Sequence, residues 1–346
     1  MNAVEPLLRV DGLTKQFTDR HSVFDRARRR EKGVLTALDN VDIAVRPGET
    51  LGIVGESGSG KSTLARCIVR LYEPDSGSVV FDGADVLAAG PGELRALRRS
   101  IQMIYQDPYS SLNPRIRVGD AVAEPARVHG LIEKGDEERY AIELLDRVGI
   151  RRESARRYPH EFSGGQRQRI AIARSLAVEP RLLIADEAVS ALDVSIQAQL
   201  LALFEEIRRD LGLTMIFISH QLAVISRLAD RVAIMYLGRV VETGATADVF
   251  ADPRHPYTKM LLAAHPRLDG TRVREPKEQT ETPSPYAIPS GCRFHTRCPL
   301  AEPVCLEQDP PDVPIESPAG GHLSACHVLP KQPPSAVDDL EADRGR

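Results

Sequence analysis

The chain has 346 residues, 42% of them hydrophobic, with 45 Lys and Arg against 49 Asp and Glu and a net charge of −4. That length fits two domains with a substantial core, and the charge balance excludes a generally basic surface for nucleic acid. There is no run of 18 or more apolar residues to cross a bilayer. The N-terminal MNAVEPLLRV lacks the basic-then-apolar order of a secretory leader. The expectation is a cytosolic protein, or one peripheral on a cytosolic face.

Residues 1 to about 250 alternate apolar runs with amphipathic stretches. Leu51–Val54, Ile101–Tyr105, Leu182–Ala185 and Met215–Ile218 read as buried strands. Ser62–Leu71, Glu137–Val148, Gln166–Leu176 and Ser195–Leu211 read as helices between them. Strands alternating with helices argue for an α/β layer fold. RVAIMYLGRVVETG reads as a hairpin turning at Gly238. From residue 263 to 290 the chain is polar and Pro-rich, a linker. Residues 291–330 hold four of the five cysteines, and residues 331–346 form a Pro-rich acidic tail expected to be disordered.

GIVGESGSGKST follows the first strong strand and opens a helix. Gly55, Glu56, Ser57, Gly58, Ser59, Gly60, Lys61, Ser62 and Thr63 form a phosphate cradle, in which glycines let successive N–H groups face phosphate oxygens. Lys61 reaches the β- and γ-phosphates and the Ser62 hydroxyl offers a Mg²⁺ ligand. RLLIADE carries Asp186 to the end of a buried strand, where a carboxylate holds Mg²⁺, and sets Glu187 beside it as a general base for water. FSGGQRQR places Ser163, Gly164, Gly165 and Gln166 at a second helix N-terminus, another anion site. Two phosphate sites about a hundred residues apart on one chain suit a head-to-tail dimer with ATP held between cradle and signature.

These motifs, in this order across residues 8–250, resemble the nucleotide-binding subunit of an ABC transporter. The resemblance implies a P-loop NTPase core of RecA-like type, an antiparallel β subdomain, a helical subdomain at about 107–165, and a nucleotide-binding domain over 1–262. Phe17 in LTKQF matches the aromatic that stacks on adenine, with plain core the alternative. Gln106 in IYQDP matches the Q-loop glutamine that touches Mg²⁺ and the membrane partner. Asp193 in SALD matches the D-loop. His220 in FISHQL matches the switch histidine near the γ-phosphate, although a histidine ending an apolar run reads by itself as core. The chain departs from the family at Phe162, where Leu is commoner, and at Ala188, where Pro is usual; neither removes a catalytic group.

HPYTKMLL from His255, the Pro-rich link and CRFHTRCPLAEPVC…CH are similar to the C-terminal extension of oligopeptide/dipeptide importer ATPases, and QDPYSSLNPR and VSALDVSIQAQ resemble the same subfamily, in its F-type subunit. That likeness implies a second homologous ATPase subunit in a heterodimer, two transmembrane permease subunits, an extracytoplasmic peptide-binding protein, and a place on the cytoplasmic face of the membrane. Nickel importers share the architecture, and a soluble ABC protein of translation or repair is the reading from another class. The basic insertion carrying Arg26, Arg28, Arg29 and Arg30, and Arg151, Arg152, Arg156 and Arg157, read as solvated surface.

Cys67 follows the phosphate cradle and reads as core. Cys292, Cys298, Cys305 and Cys326 are separated by 5, 6 and 20 residues, with no C-x-x-C pair. Four thiolates complete one [4Fe–4S] cluster or one Zn²⁺, and resemblance to peptide-importer ATPases favours the cluster over zinc and over free or disulfide-linked thiols. His295, His322 and His327 are substitute ligands. So small and loop-rich a segment is expected to take its fold from a metal.

Overall fold

The computed structural model describes residues 5–18, 33–107, 112–190, 192–264 and 282–329. The basic insertion with Arg26–Arg30, Ala191, most of the Pro-rich linker and the tail from 330 on lie outside the described residues.

Two sheets organise the chain. The first strands in sequence are β1 (Leu8–Thr18), β2 (Val34–Val45) and β3 (Thr50–Val54), followed by β4 (Ser76–Phe81) and the short β5 (Ala84–Asp85). β2-β1-β4-β5 form an antiparallel four-stranded sheet. β6 (Ile101–Ile104), β7 (Leu182–Asp186), β8 (Thr214–Ser219), β9 (Arg231–Tyr236), β10 (Arg239–Ala245), β11 (Asp312–Ile315) and β12 (His322–Ala325) join β3 in an eight-stranded sheet, ordered β11-β12-β10-β9-β3-β8-β7-β6. From β9 through β6 the strands run parallel; β10, β12 and β11 continue antiparallel.

The parallel strands are buried on both faces, which is why they read as continuous apolar runs. Alternate residues still go to different cores. Leu51, Ile53, Leu182, Ile184, Ile216, Ile218 and Met235 face helix Lys61–Ile68 and the small sheet. Leu183, Ala185, Met215, Phe217, Ile234 and Tyr236 face the core shared with the helical region. That region packs Val118–Val128 and Glu137–Arg147 against helix Gly164–Leu176. The α/β expectation, with mixed sheets packed against helices, therefore holds. The expected strands and helices appear within a few residues of their bounds. The hairpin turns through Leu237 (φ 43°) and Gly238 (φ 83°), a pair of positive φ values that matches the twist of the strands on either side.

The cysteine segment is more structured than a loop-rich tail. It contains a 3₁₀ turn at His295–Arg297, a short helix Pro303–Glu307, and β11 and β12. β12 pairs with β10, Glu242 opposite Ser324 and Thr243 opposite Leu323, so the segment extends the main sheet. Phe294 is buried against Tyr236 and Tyr257, with ring centroids 5.3 and 5.5 Å away. The segment thus has an apolar anchor in the main core, which the expectation of a metal-made fold did not include. Arg151, Arg152, Arg156 and Arg157 are exposed, as expected, and Cys67 is fully buried.

Candidate functional site

β3 ends at Val54 and the glycine-rich loop follows before helix Lys61–Ile68. Two of its glycines are required by their neighbours. A Cβ on Gly55 would lie 2.2 Å from the Met235 carbonyl oxygen, and one on Gly60 (φ 103°) would lie 2.3 Å from that of Ala37. The loop is therefore pressed against β9 and β2, with its open side toward solvent. The Gly238 turn braces it from below, donating its N–H to the Ser59 carbonyl at 2.9 Å.

Lys61 is buried and donates from Nζ to the carbonyls of Gly55 (2.9 Å) and Glu56 (2.8 Å) and to Ser59 Oγ (3.3 Å). The ammonium is thus satisfied by the loop's own oxygens, from which an incoming phosphate can draw it. Burial lowers its pKa, against the pull of Glu187, Asp186 and Glu56. Ser62 Oγ donates to Asp186 Oδ1 at 2.8 Å. Asp186 ends β7 fully buried, and burial raises its pKa despite the Ser62 bond. A hydroxyl and a carboxylate in contact beside a phosphate cradle are the oxygen donors that Mg²⁺ takes, so these residues fit the ion.

Glu187 stands next, in the left-handed region (φ 49°), its N–H tied to the Ile218 carbonyl at 3.0 Å. A non-glycine residue at positive φ is uncommon, and here it turns the carboxylate away from Asp186's strand direction into a cluster. Oε2 accepts from Gln106 Nε2 at 2.8 Å, and Oε1 lies 3.5 Å from His220 Nδ1. Gln106 and His220 are exposed. Gln106, Glu187 and His220, 114 residues apart at the extremes, are thereby brought to the mouth of one site. Ser190 Oγ donates to the Glu187 carbonyl at 2.9 Å, and Asp193 starts helix Val194–Leu211. Ala188 is buried behind the carboxylate.

Ser163 caps helix Gly164–Leu176 reciprocally: its Oγ accepts from Gln166 N–H (3.3 Å) and its N–H donates to Gln166 Oε1 (3.1 Å). Phe162 is buried, as an apolar anchor should be, with Arg157 over its ring at 4.9 Å. Gly165 is required by Ile196, whose Cγ2 would lie 2.5 Å from a Cβ. Ser163 itself is exposed. Phe17 is half-buried, edge-on to Tyr72 at 5.3 Å, with Lys15 Nζ 5.4 Å from its ring. Tyr72 was not singled out from the sequence; an aromatic three residues before a turn carries no signal of its own.

The chain matches the family model for ABC transporters over residues 38–190 and that for the oligopeptide/dipeptide transporter C-terminal region over 241–305. A probable peptide ABC transporter ATP-binding protein of Sinorhizobium fredii is 48% identical over 325 residues, covering 94% of this chain and 90% of the relative. This chain belongs to the ABC transporter ATP-binding proteins. A second relative of this ABC ATPase is the oligopeptide transport ATP-binding protein AppF of Bacillus subtilis, 45% identical over 94% of the chain and 98% of the relative. Among solved structures, a dimeric ATP-binding cassette in a post-hydrolysis state with ADP and Pi superimposes with a TM-score of 0.60 at 27% identity, covering 69% of this chain and 98% of that one. The cassette cbiO1 of Clostridium perfringens, part of an ABC transporter complex, gives 0.60 at 28% identity, covering 72% and 92%. No helix among the described residues is long and apolar enough to cross a membrane.

All five cysteines are free thiols. Cys292, Cys298, Cys305 and Cys326 are near enough to act on one another: burial raises the pKa of Cys292 and Cys298, that of Cys326 rises to about 11, and the neighbouring thiols add to each. Cys292 N–H donates to the Cys305 carbonyl at 2.9 Å, and Cys326 Sγ donates to the Val328 carbonyl at 3.3 Å. Yet among the described residues no three His, Cys, Asp or Glu side chains are arranged to hold a metal ion. The number and chemistry of the donors suit a cluster or zinc; their positions do not form the closed shell expected. Each of two nearby histidines has one ring nitrogen engaged, His322 Nε2 with Glu242 at 2.8 Å and His295 Nδ1 with the Cys292 carbonyl at 2.8 Å.

Proposed function

We propose that this ABC ATPase hydrolyses ATP to drive uptake of oligopeptides or dipeptides through two permease subunits, on the cytoplasmic face of a membrane. The observation that carries it is the meeting of Gln106 and His220 on the two oxygens of Glu187, next to Ser62 and Asp186. Gly55–Thr63 cradle the triphosphate and Lys61 exchanges its carbonyl partners for β- and γ-oxygens. Phe17, with Tyr72 bracing its edge, offers a face to adenine. Glu187 takes the proton of the attacking water as its oxygen bonds to the γ-phosphorus and the bond to the bridging oxygen of ADP breaks. His220 and Lys61 meet the charge that develops. Ser62, Asp186 and the Gln106 amide oxygen would hold Mg²⁺, which supplies neutralisation of the phosphate oxygens. With its NH₂ on Glu187, Gln106 keeps that oxygen free for the metal.

Ser163–Gln166 at an exposed helix N-terminus serve the ATP of a second, homologous subunit, with Asp193 of the D-loop at the same face. Val194, 83% exposed, lies beside it, an apolar side chain suited to burial in such a dimer. Beside Gln106, the exposed Leu71, Tyr105 and Val128 line a groove between core and helical region that suits a permease loop. Peptide cargo is supported by the relatives' names and the C-terminal region; an extracytoplasmic binding protein to deliver it is part of the proposal. For the four thiols the reading is a [4Fe–4S] cluster, with zinc the alternative, on their number and chemistry alone and not on their positions; iron, sulfide and zinc assays on anaerobically purified protein decide it. The test of the main reading is Glu187→Gln in the reconstituted complex. ATP binding should persist while hydrolysis falls by about 10²–10⁴-fold and ATP-dependent uptake of labelled peptide stops. Equal rates for the two proteins would remove Glu187 as the base.

A further inference from the structure

We infer that Arg297, carried by the cysteine segment, is a positioning residue of the phosphate loop: its guanidinium cancels the charge of Glu56, a carboxylate the loop itself carries beside the phosphate seat. The inference rests on the reading of Gly55–Thr63 as the ATP cradle. Glu56 is held at every polar group. Its N–H donates to Tyr257 Oη at 2.9 Å and its carbonyl accepts from Lys61 Nζ at 2.8 Å. Its carboxylate accepts a two-pronged contact, Arg297 Nη1 to Oε2 at 2.9 Å and Nη2 to Oε1 at 3.0 Å, with Thr282 Oγ1 adding a third bond at 2.7 Å. Arg297 is almost fully buried in its side chain, 8% exposed, and lies 5.8 Å from the centres of the Tyr236 and Phe294 rings. Forked guanidinium–carboxylate pairs are directional as well as strong, so the pair sets both the place and the charge of the loop's second residue.

The charge argument decides its function. Burial would raise the Glu56 pKa, but the bonds from Arg297 and Thr282 overcome that and lower it, so the group is a carboxylate. Glu56 and Lys61 act on one another electrostatically, and Lys61 is the group that must meet a triphosphate. An unpaired carboxylate there would repel the nucleotide; paired with Arg297 it is neutral and still anchors the loop. The 3₁₀ turn that presents Arg297 is bounded by Cys292 and Cys298, with His295 N–H on the Cys292 carbonyl at 3.0 Å and Cys298 N–H on that of His295 at 3.2 Å. The thiol segment therefore reaches the ATP site through one side chain.

The experiment measures MgATP affinity of the full chain by a fluorescent-nucleotide titration at low and high salt. Arg297→Ala should weaken binding about five- to tenfold at low salt, and less at high salt, as one uncompensated charge near a polyanion would. Arg297→Lys should keep most of the affinity. Adding Glu56→Gln to Arg297→Ala should bring affinity back to that of Glu56→Gln alone, a recovery that mere loss of packing cannot give. Asp309→Asn, which cuts the 2.9 Å tie from Arg239 to the same segment away from the loop, should bind MgATP like wild type. Arg297→Gln carries the comparison if the alanine variant precipitates. Wild-type affinity in Arg297→Ala, no recovery in the double variant, or an equal loss in Asp309→Asn each overturns the inference. Lys61→Ala run alongside separates it from the cradle reading: if that variant also binds like wild type, the cradle assignment fails instead.

Discussion

Replacing Glu242 by Gln should detach the C-terminal strands from the cassette. Glu242 is 1% exposed and sits on β10 opposite Ser324. Its Oε1 accepts from Arg254 N–H at 2.7 Å and from His322 Nε2 at 2.8 Å; its Oε2 accepts from His255 N–H at 3.0 Å. One carboxylate therefore fixes the start of the His255–Pro256–Tyr257 stretch and β12 together. A glutamine keeps one acceptor oxygen. In its cheaper orientation the NH₂ replaces Oε2, losing the His255 bond and setting two donors against each other in a buried place. One charge-assisted bond and one stranded N–H sum to about 3 kcal/mol, equivalent to about a hundredfold in a local opening equilibrium. Hydrogen exchange of the β12 amides, compared between wild type and Glu242→Gln at neutral pH, reads this directly. An increase of less than about threefold would show that the carboxylate does not hold the segment, and the reasoning would fail.

The same region should make the fold acid-sensitive. His255 is fully buried, its Nδ1 accepts from Tyr257 N–H at 3.1 Å, and burial lowers its pKa to about 4, against Glu242 and the Ala325 backbone, which favour the charged ring. The folded chain thus keeps His255 neutral to about pH 4 while the unfolded chain binds a proton near pH 6.5, so stability falls as pH drops through that window, by about 3 kcal/mol in all. Urea unfolding across pH 7 to 4 should show that fall in wild type and a shallower one in His255→Asn. Gly55→Ala should lose nucleotide binding, because the new methyl would meet the Met235 carbonyl at 2.2 Å and backbone cannot yield cheaply; undiminished affinity in a titration would contradict the packing described for the loop.

What could be read from the sequence was local. Leu182–Ala185 is buried on both faces, so its strand shows as a run, and the two acids that follow are legible because a run must end somewhere. The Gly55–Ser62 pattern is legible because Gly55 and Gly60 have no room for a Cβ. The Ser163 cap is legible because its partner Gln166 is three residues on. The two C-terminal strands were not. Each is four residues long, β11 contains Pro314 and pairs only with β12, and the pairing of β12 with β10 joins residues some 80 apart in sequence. His255 and Tyr257 could be matched to a family likeness, but their work could not be read: it depends on the Ala325 backbone and on the N–H of Glu56, 201 residues before Tyr257.

That distribution has a physical reason. A phosphate cradle is made by consecutive backbone groups, so its constraints fall on neighbours and leave a spacing in the sequence. The attachment of the cysteine segment adds to the β10–β12 pairing a set of single side chains that meet across the fold. Arg293 pairs with Asp39 and the Leu237 carbonyl, Arg239 joins Asp39 to Asp309, and Arg297 joins Glu56. Each partner alone is an ordinary charged residue; Arg293 and Arg297, nearly buried in their side chains, are the two that would be stranded by removing the carboxylate they meet. Arg293 grips β2 and the β9–β10 turn, Arg297 grips the phosphate loop, and Arg239 of β10 reaches out to Asp309. Cassette and cysteine segment are therefore joined by side chains as well as by the β10–β12 pairing, and Arg297, next to Cys298, ends on the residue beside Gly55.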